Sequence, residues 1–120
     1  MNRPHALGRR GEQLAADYLR VRIGLNVMDR NWRCPDGEVD ILATDGRRLV
    51  ACEVKTRSST RFGTPAEAVD DIQARRVRAA ALKWAATRKV RYVGPVRGDI
   101  VAILWPPRSH PRIRYYPNSF

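Results

Sequence analysis

An acid, a turn and then an acid–x–lysine form the first pattern in this 120-residue chain that could do chemistry. Asp40 lies in Gly37-Glu38-Val39-Asp40-Ile41-Leu42-Ala43, and Glu53 and Lys55 lie in Glu53-Val54-Lys55-Thr56-Arg57. Strand alternation puts Glu53 and Lys55 on one face, with Val50, Cys52 and Val54 on the other. In the preceding stretch Glu38, Asp40 and Leu42 share a face, opposite Val39, Ile41 and Ala43. Asp45-Gly46 reads as a two-residue hairpin turn, because both positions tolerate positive φ. That turn pairs Thr44 with Arg47, Asp40 with Ala51 and Glu38 with Glu53. Asp40 and Glu53 then become diagonal neighbours, with Cα atoms about 7–8 Å apart. A four-residue loop is expected to keep this register, whereas a three-residue loop would spoil it. Carboxylates gathered on one face repel and need a neutralising partner. An oxygen-only donor set suits a hard cation, Mg²⁺ or Mn²⁺. Lys55 is then placed to stabilise charge on a phosphate or to orient an attacking water, the equipment of metal-assisted phosphodiester hydrolysis. Glu-Val-Lys is also an ordinary alternation in an exposed strand, so both readings stand on the residues alone.

Further candidates surround this core. Glu12 sits three residues before Ala15 and seven before Leu19, at the margin of a helix's buried stripe. It either points into the site or serves as a first-turn acid favoured by the helix dipole. Gln73 shares an inward helical stripe with Val69, Val77 and Trp84, as a reach toward the site or as a satisfied core-edge amide. Arg75, Arg76, Arg78 and Lys83 flank that stripe and read as phosphate-positioning residues or as solvated surface. Thr56, Arg57 and Arg61 follow the lysine closely, where they could touch the backbone of a bound strand. Trp32, Trp84 and Trp105 fall in regular elements, which favours core packing over base stacking. Cys34 and Cys52 lack any metal-ligand spacing and read as small core residues.

The elements that must position these residues follow from periodicity. A first helix is expected from about Gly8 to Val21, stopped by Gly24. Strands are expected over about Leu25–Cys34, Glu38–Thr44 and Arg48–Thr56. Thr64-Pro65-Ala66-Glu67 has the form of a capping box that opens a second helix reaching Ala86 or Thr87. Strands at about Asp99–Trp105 and Arg112–Tyr116 complete an α-β-β-β-α-β-β order. That is one mixed α/β domain, residues 1–120, with a central sheet flanked by helices.

Charge narrows the partner. Twenty-three Lys and Arg against twelve Asp and Glu give a net charge of +11 and a pI near 11.0. Such an excess attracts polyanions by steering and counterion release, so nucleic acid is the expected partner. The longest apolar run, Ile100 to Trp105, is too short to cross a bilayer, and a cytoplasmic location is the expected default. A non-catalytic nucleic-acid-binding module, or a binder of an acidic protein, shares the same charge.

The two quoted segments resemble the signature of the PD-(D/E)XK nuclease superfamily and, more narrowly, that of the YraN family, which is similar to archaeal Holliday-junction resolvases. The likeness extends to Gly11-Glu12 with Ala15, Ala16 and Leu19, and to Phe62-Gly63, so it covers most of the chain. It implies a restriction-endonuclease-like fold, with Asp40 and Glu53 as ligands of Mg²⁺ or Mn²⁺ and Lys55 as the catalytic lysine. Glu12 would complete the acidic cluster, as a helix-1 glutamate does in the related resolvases. The superfamily's proline is absent, Val39 standing before Asp40. The resemblance further implies a structure-selective endonuclease acting on nucleic acid, DNA and branched DNA foremost, and makes a homodimer plausible.

Overall fold

A computed structural model of the chain describes residues 3–59 and 69–120. Helix α1 (Arg3–Tyr18) runs into a π-helical turn (Leu19–Ile23), followed by strands β1 (Asn26–Cys34), β2 (Gly37–Thr44) and β3 (Leu49–Arg57). Helix α2 (Asp71–Thr87) crosses over to β4 (Arg97–Leu104), and β5 (Arg112–Tyr116) closes the sheet. Among the described residues the element order is the expected one. Helix α1 starts five residues earlier than periodicity suggests, and Gly24 ends the helical run at φ 85°, its N–H bonded to the Leu19 carbonyl. The expected start of the second helix at Thr64, like Phe62-Gly63 and Arg61, lies outside the described residues. Val69 and Asp70, expected inside that helix, are not helical. The helix that ends at Thr87 starts at Asp71, so Val69 is not on the stripe of Gln73. It is capped by Asp70, whose carboxylate accepts the Gln73 N–H at 2.7 Å.

Among the described residues, five strands form one sheet in the order β1-β2-β3-β4-β5. The pairings are antiparallel except for β3 with β4, which the α2 crossover makes parallel. A strand flanked on both sides and covered on both faces must be apolar throughout. Accordingly β3 is buried from Leu49 to Glu53, and β4 from Gly98 to Ile103. Alternation divides the core into two. Ile41, Ala43, Val50, Cys52, Val101 and Ile103 pack against Ala15, Ala16 and Leu19 of the first helical run. Leu42, Leu49 and Ala51 face Val77, Ala80, Ala81 and Trp84 of α2. Helices therefore cover opposite faces, and the middle of the sheet is dry.

The β2–β3 turn corrects one expectation. Thr44 pairs with Leu49, not Arg47, so the loop is the four residues Asp45–Arg48. The Asp45 side chain accepts the N–H groups of Arg47 and Arg48 at 2.9 Å each. The Thr44 hydroxyl accepts from Gly46 N–H at 3.0 Å and donates to the Arg48 carbonyl at 2.8 Å. These side-chain bonds stabilise an Asx-type loop over a tight two-residue turn. The register moves by two, which preserves the faces of the paired residues Ile41–Thr44 but changes their partners. Ala51 lies opposite Leu42 rather than Asp40.

Candidate metal and nucleic-acid site

The β2–β3 ladder ends at Ile41 opposite Cys52. Continued by one residue, the register sets Asp40 directly across from Glu53, closer than the diagonal expected, and Glu38 is no longer opposite Glu53. Here the strands part. The N–H of Val54 bonds to the Asp40 carboxylate at 2.8 Å, so a side chain takes the place of a ladder partner. Val39, expected beside Ile41 and Ala43, instead packs with Leu42 and Trp32 against α2. The site is thus the point where a paired sheet opens.

Two carboxylates meet in this opening. Glu53 is only 4% exposed and sits within hydrogen-bonding reach of Asp40. Gln73 of α2 donates to Glu53 Oε2 at 3.4 Å, while the buried Oε1 receives no hydrogen bond. Burial first, and then the Asp40 charge, pushes the Glu53 carboxyl up to about 8. Burial also raises Asp40, but the Val54 N–H favours its charged form. Both carboxyls are thus raised, and the pair holds a proton more readily than free carboxylates do. Lys55, half-buried one alternation beyond Glu53, lowers both carboxyls through its charge.

Glu12 approaches from α1. Burial first, and then the negative charge of Asp40, raises its carboxyl, against a hydrogen bond from the Asn31 side chain and the attraction of Arg30. Its approach depends on Gly11. A Cβ on Gly11 would collide with the Thr56 hydroxyl and lie 2.9 Å from Thr56 Cβ, so only glycine lets α1 rest on β3 here. Glu38 does not join the cluster; exposed, it pairs with Arg33 at 2.9 Å. Among the described residues no three His, Cys, Asp or Glu side chains converge tightly enough to enclose a cation. The pair Asp40–Glu53, with an unpartnered buried oxygen and a carboxyl proton that a cation can displace, fits a hard divalent ion as a two-carboxylate platform. Glu12 stands next to that platform.

The basic and polar candidates divide between separate hollows. Gln73 and Arg76 line a cleft of about 490 Å³ with Glu53, Glu38 and Cys34. Thr56 and Arg57 line a groove on the α1 side with Glu12. Arg75 and Arg78 border a third hollow beside Phe120, away from the carboxylates. Trp84 is core, its indole N–H bonded to Asp29 at 2.9 Å. Trp32 and Trp105 are partly buried. Asn31 and Arg30, which flank Glu12, were not legible in the sequence. The one signal was an asparagine inside a strand, and Asn31 does adopt a positive φ of 52°.

The class defined by this arrangement is an α/β domain whose opened central hairpin carries a buried glutamate and a half-buried aspartate beside a lysine. A family model described as "Uncharacterised protein family UPF0102" matches residues 11–103, from Gly11 through Ile103. The UPF0102 protein of Renibacterium salmoninarum is 47% identical over 109 residues, covering 91% of both chains. That of a Nocardioides species is 52% identical over 104 residues, covering 87% of this chain and 82% of the relative. That of Frankia alni is 43% identical over 120 residues, covering 100% of this chain and 98% of the relative. The chain belongs to the UPF0102 family, the YraN family.

Proposed function

We propose that the protein is a metal-dependent, structure-selective endonuclease of the restriction-endonuclease-like kind, hydrolysing phosphodiester bonds in nucleic acid. The observation that carries the reading is the Asp40–Glu53 pair, a half-buried carboxylate facing a buried one, with one Glu53 oxygen left unbonded two residues from Lys55. Asp40 and Glu53 would hold Mg²⁺ or Mn²⁺, with Glu12 beside them. The ion, when bound, supplies polarisation of the phosphodiester and a more acidic water. The Val54 N–H fixes the Asp40 carboxylate, and Gln73 orients Glu53. Lys55 brings a positive charge to the same face, where it positions a water or meets charge that builds on the phosphate. The surplus of cations holds the polyanion without reading its sequence.

A second reading, a nucleic-acid-binding module without turnover, is favoured by the absence of a closed three-acid group among the described residues. Cleavage of branched, flap and single-stranded DNA and RNA with Mg²⁺ or Mn²⁺ decides between them. The endonuclease cuts at least one substrate, and Asp40→Asn and Lys55→Ala abolish cutting. A wild type that binds these substrates but cuts none, with calorimetry giving no Asp40-dependent metal binding, leaves the binding module.

A further inference from the structure

The groove on the α1 side has a volume of about 1120 Å³ and lies between the N-terminal half of α1 and the turn that follows β4. Val54 and Thr56 of β3 form part of its lining, and Glu12 is the one carboxylate among the described residues that border it. Its walls carry Arg10, Arg57 and Arg108. Among the described residues no carboxylate pairs with any of these three, whereas Arg20, Arg33, Lys83, Arg88 and Arg97 all find acids. Arg57 donates to the Thr56 carbonyl at 3.0 Å. Three guanidiniums against one acid among the described residues of this concavity repel one another, which an anion relieves.

An aromatic platform is built into the same wall. The Arg10 guanidinium stands 4.2 Å over the Trp105 ring. The Trp105 indole N–H donates to the Ser109 carbonyl at 3.1 Å, and its backbone N–H to the Arg57 carbonyl at 2.7 Å. The indole is thereby held in place, and the exposed Arg10 guanidinium rests on its ring. A guanidinium–indole stack next to free cations suits an unpaired base and its phosphates. Bases in a duplex are already stacked and leave such a platform unused. An acidic peptide would engage the cations and not the stack.

We propose that this groove binds a single nucleic-acid strand, its phosphates on Arg10, Arg57 and Arg108 and a base against the Arg10–Trp105 stack. The strand continues past Glu12 toward Asp40 and Glu53, a direction that rests on the endonuclease reading; the binding itself does not. Anisotropy of labelled oligothymidylate, with the full-length Asp40→Asn protein in EDTA, reads binding apart from cutting. The single strand binds more tightly than a duplex of the same length. Arg10→Gln, Arg57→Gln and Arg108→Gln each weaken it about three- to tenfold. Trp105→Leu weakens it about tenfold and Trp105→Phe less. Arg91→Gln, on an exposed loop, leaves it unchanged. Arg10→Gln and Arg108→Gln change exposed side chains, so they test the groove even if Trp105→Leu unfolds. Unaltered affinity in both, tighter binding of duplex, or full displacement of the strand by polyglutamate overturns the proposal. A wild type that binds through the groove but never cuts with Mg²⁺ sinks the endonuclease reading alone. Cutting that is indifferent to Arg10 and Arg108 sinks the groove alone.

Discussion

Glu53 is held in a state that free glutamate does not adopt at neutral pH. Its carboxyl is pushed up to about 8, from an ordinary value of 4.5, by burial and by the Asp40 charge. The folded protein therefore keeps a proton there that the unfolded chain releases, and this proton favours the fold. The contribution is complete below about pH 4.5 and is lost as pH rises through about 8. In EDTA, the melting temperature should fall between pH 5 and pH 9. Glu53→Gln, which cannot ionise, should shallow that slope and melt higher than wild type at pH 9. Mg²⁺ or Mn²⁺ at pH 9 replaces the proton as the neutralising partner and should raise the wild-type melting temperature but not that of Glu53→Gln. Differential scanning calorimetry across the pH series checks both; a slope that is the same in the two proteins would show that Glu53 is not the group that titrates.

Glycines in α1 separate the helix's own preferences from its fit to the sheet. Gly8 has nothing within 4 Å of its absent Cβ, whereas that of Gly11 meets Thr56. Gly8→Ala should stabilise by about 0.5–1 kcal/mol through helix propensity alone. Gly11→Ala should destabilise by about 1–3 kcal/mol by overpacking and, by lifting Glu12 off the site, also lower cleavage. Chemical denaturation reads the first effect and the branched-DNA assay the second. Such close approaches lie between elements distant in sequence, which is why Gly11 appears in the sequence only as part of a resemblance. The same holds for Asp99, which opens a strand by pattern yet is 0% exposed. It accepts a two-point bond from Arg97 (3.0 and 2.9 Å), the Tyr115 hydroxyl, and the Asn118 N–H at 2.9 Å, tying β4 to β5 and the C-terminal turn. Asp99→Ala leaves Arg97 only the Tyr115 hydroxyl at 3.1 Å and Asp45 at 4.0 Å, and should cost about 3 kcal/mol, a fall on the order of 10 °C in melting temperature. What alternation could give, the opposite faces of Ile41 and Leu42 and of Ala51 and Cys52, survived because the actual loop shifted the register by an even number; at Val39, beside Asp40, the alternation breaks. The loop itself was misread, because the Thr44 and Asp45 side chains, not the dipeptide Asp45-Gly46, decide its length.

For the molecule as a whole the net charge of +11 is plain in the composition, but its distribution is not. Helical spacing grouped Arg75, Arg76 and Arg78, and the fold separates them: Arg76 borders the carboxylate cleft, while Arg75 and Arg78 edge a hollow beside Phe120. Arg10, Arg57 and Arg108 are 47 and 51 residues apart in succession, and only the packing of α1 and the β4–β5 turn against the end of β3 brings them to one groove. This distinction has a measurable form. If the excess charge acts diffusely, any three arginines contribute alike to the salt dependence of binding. If the groove carries the contacts, the slope of log affinity against log salt depends on which three are removed. For a single strand each neutralised phosphate adds about 0.7 to that slope. The combined Arg10, Arg57 and Arg108 glutamine variant should therefore lose about 2 from the slope. A variant with Arg22, Arg47 and Arg91 changed to glutamine has the same net charge and should keep the slope nearly intact. Titrating both across a salt series compares equal charge at different places, and equal slopes would mean that the surface binds as an undifferentiated cation.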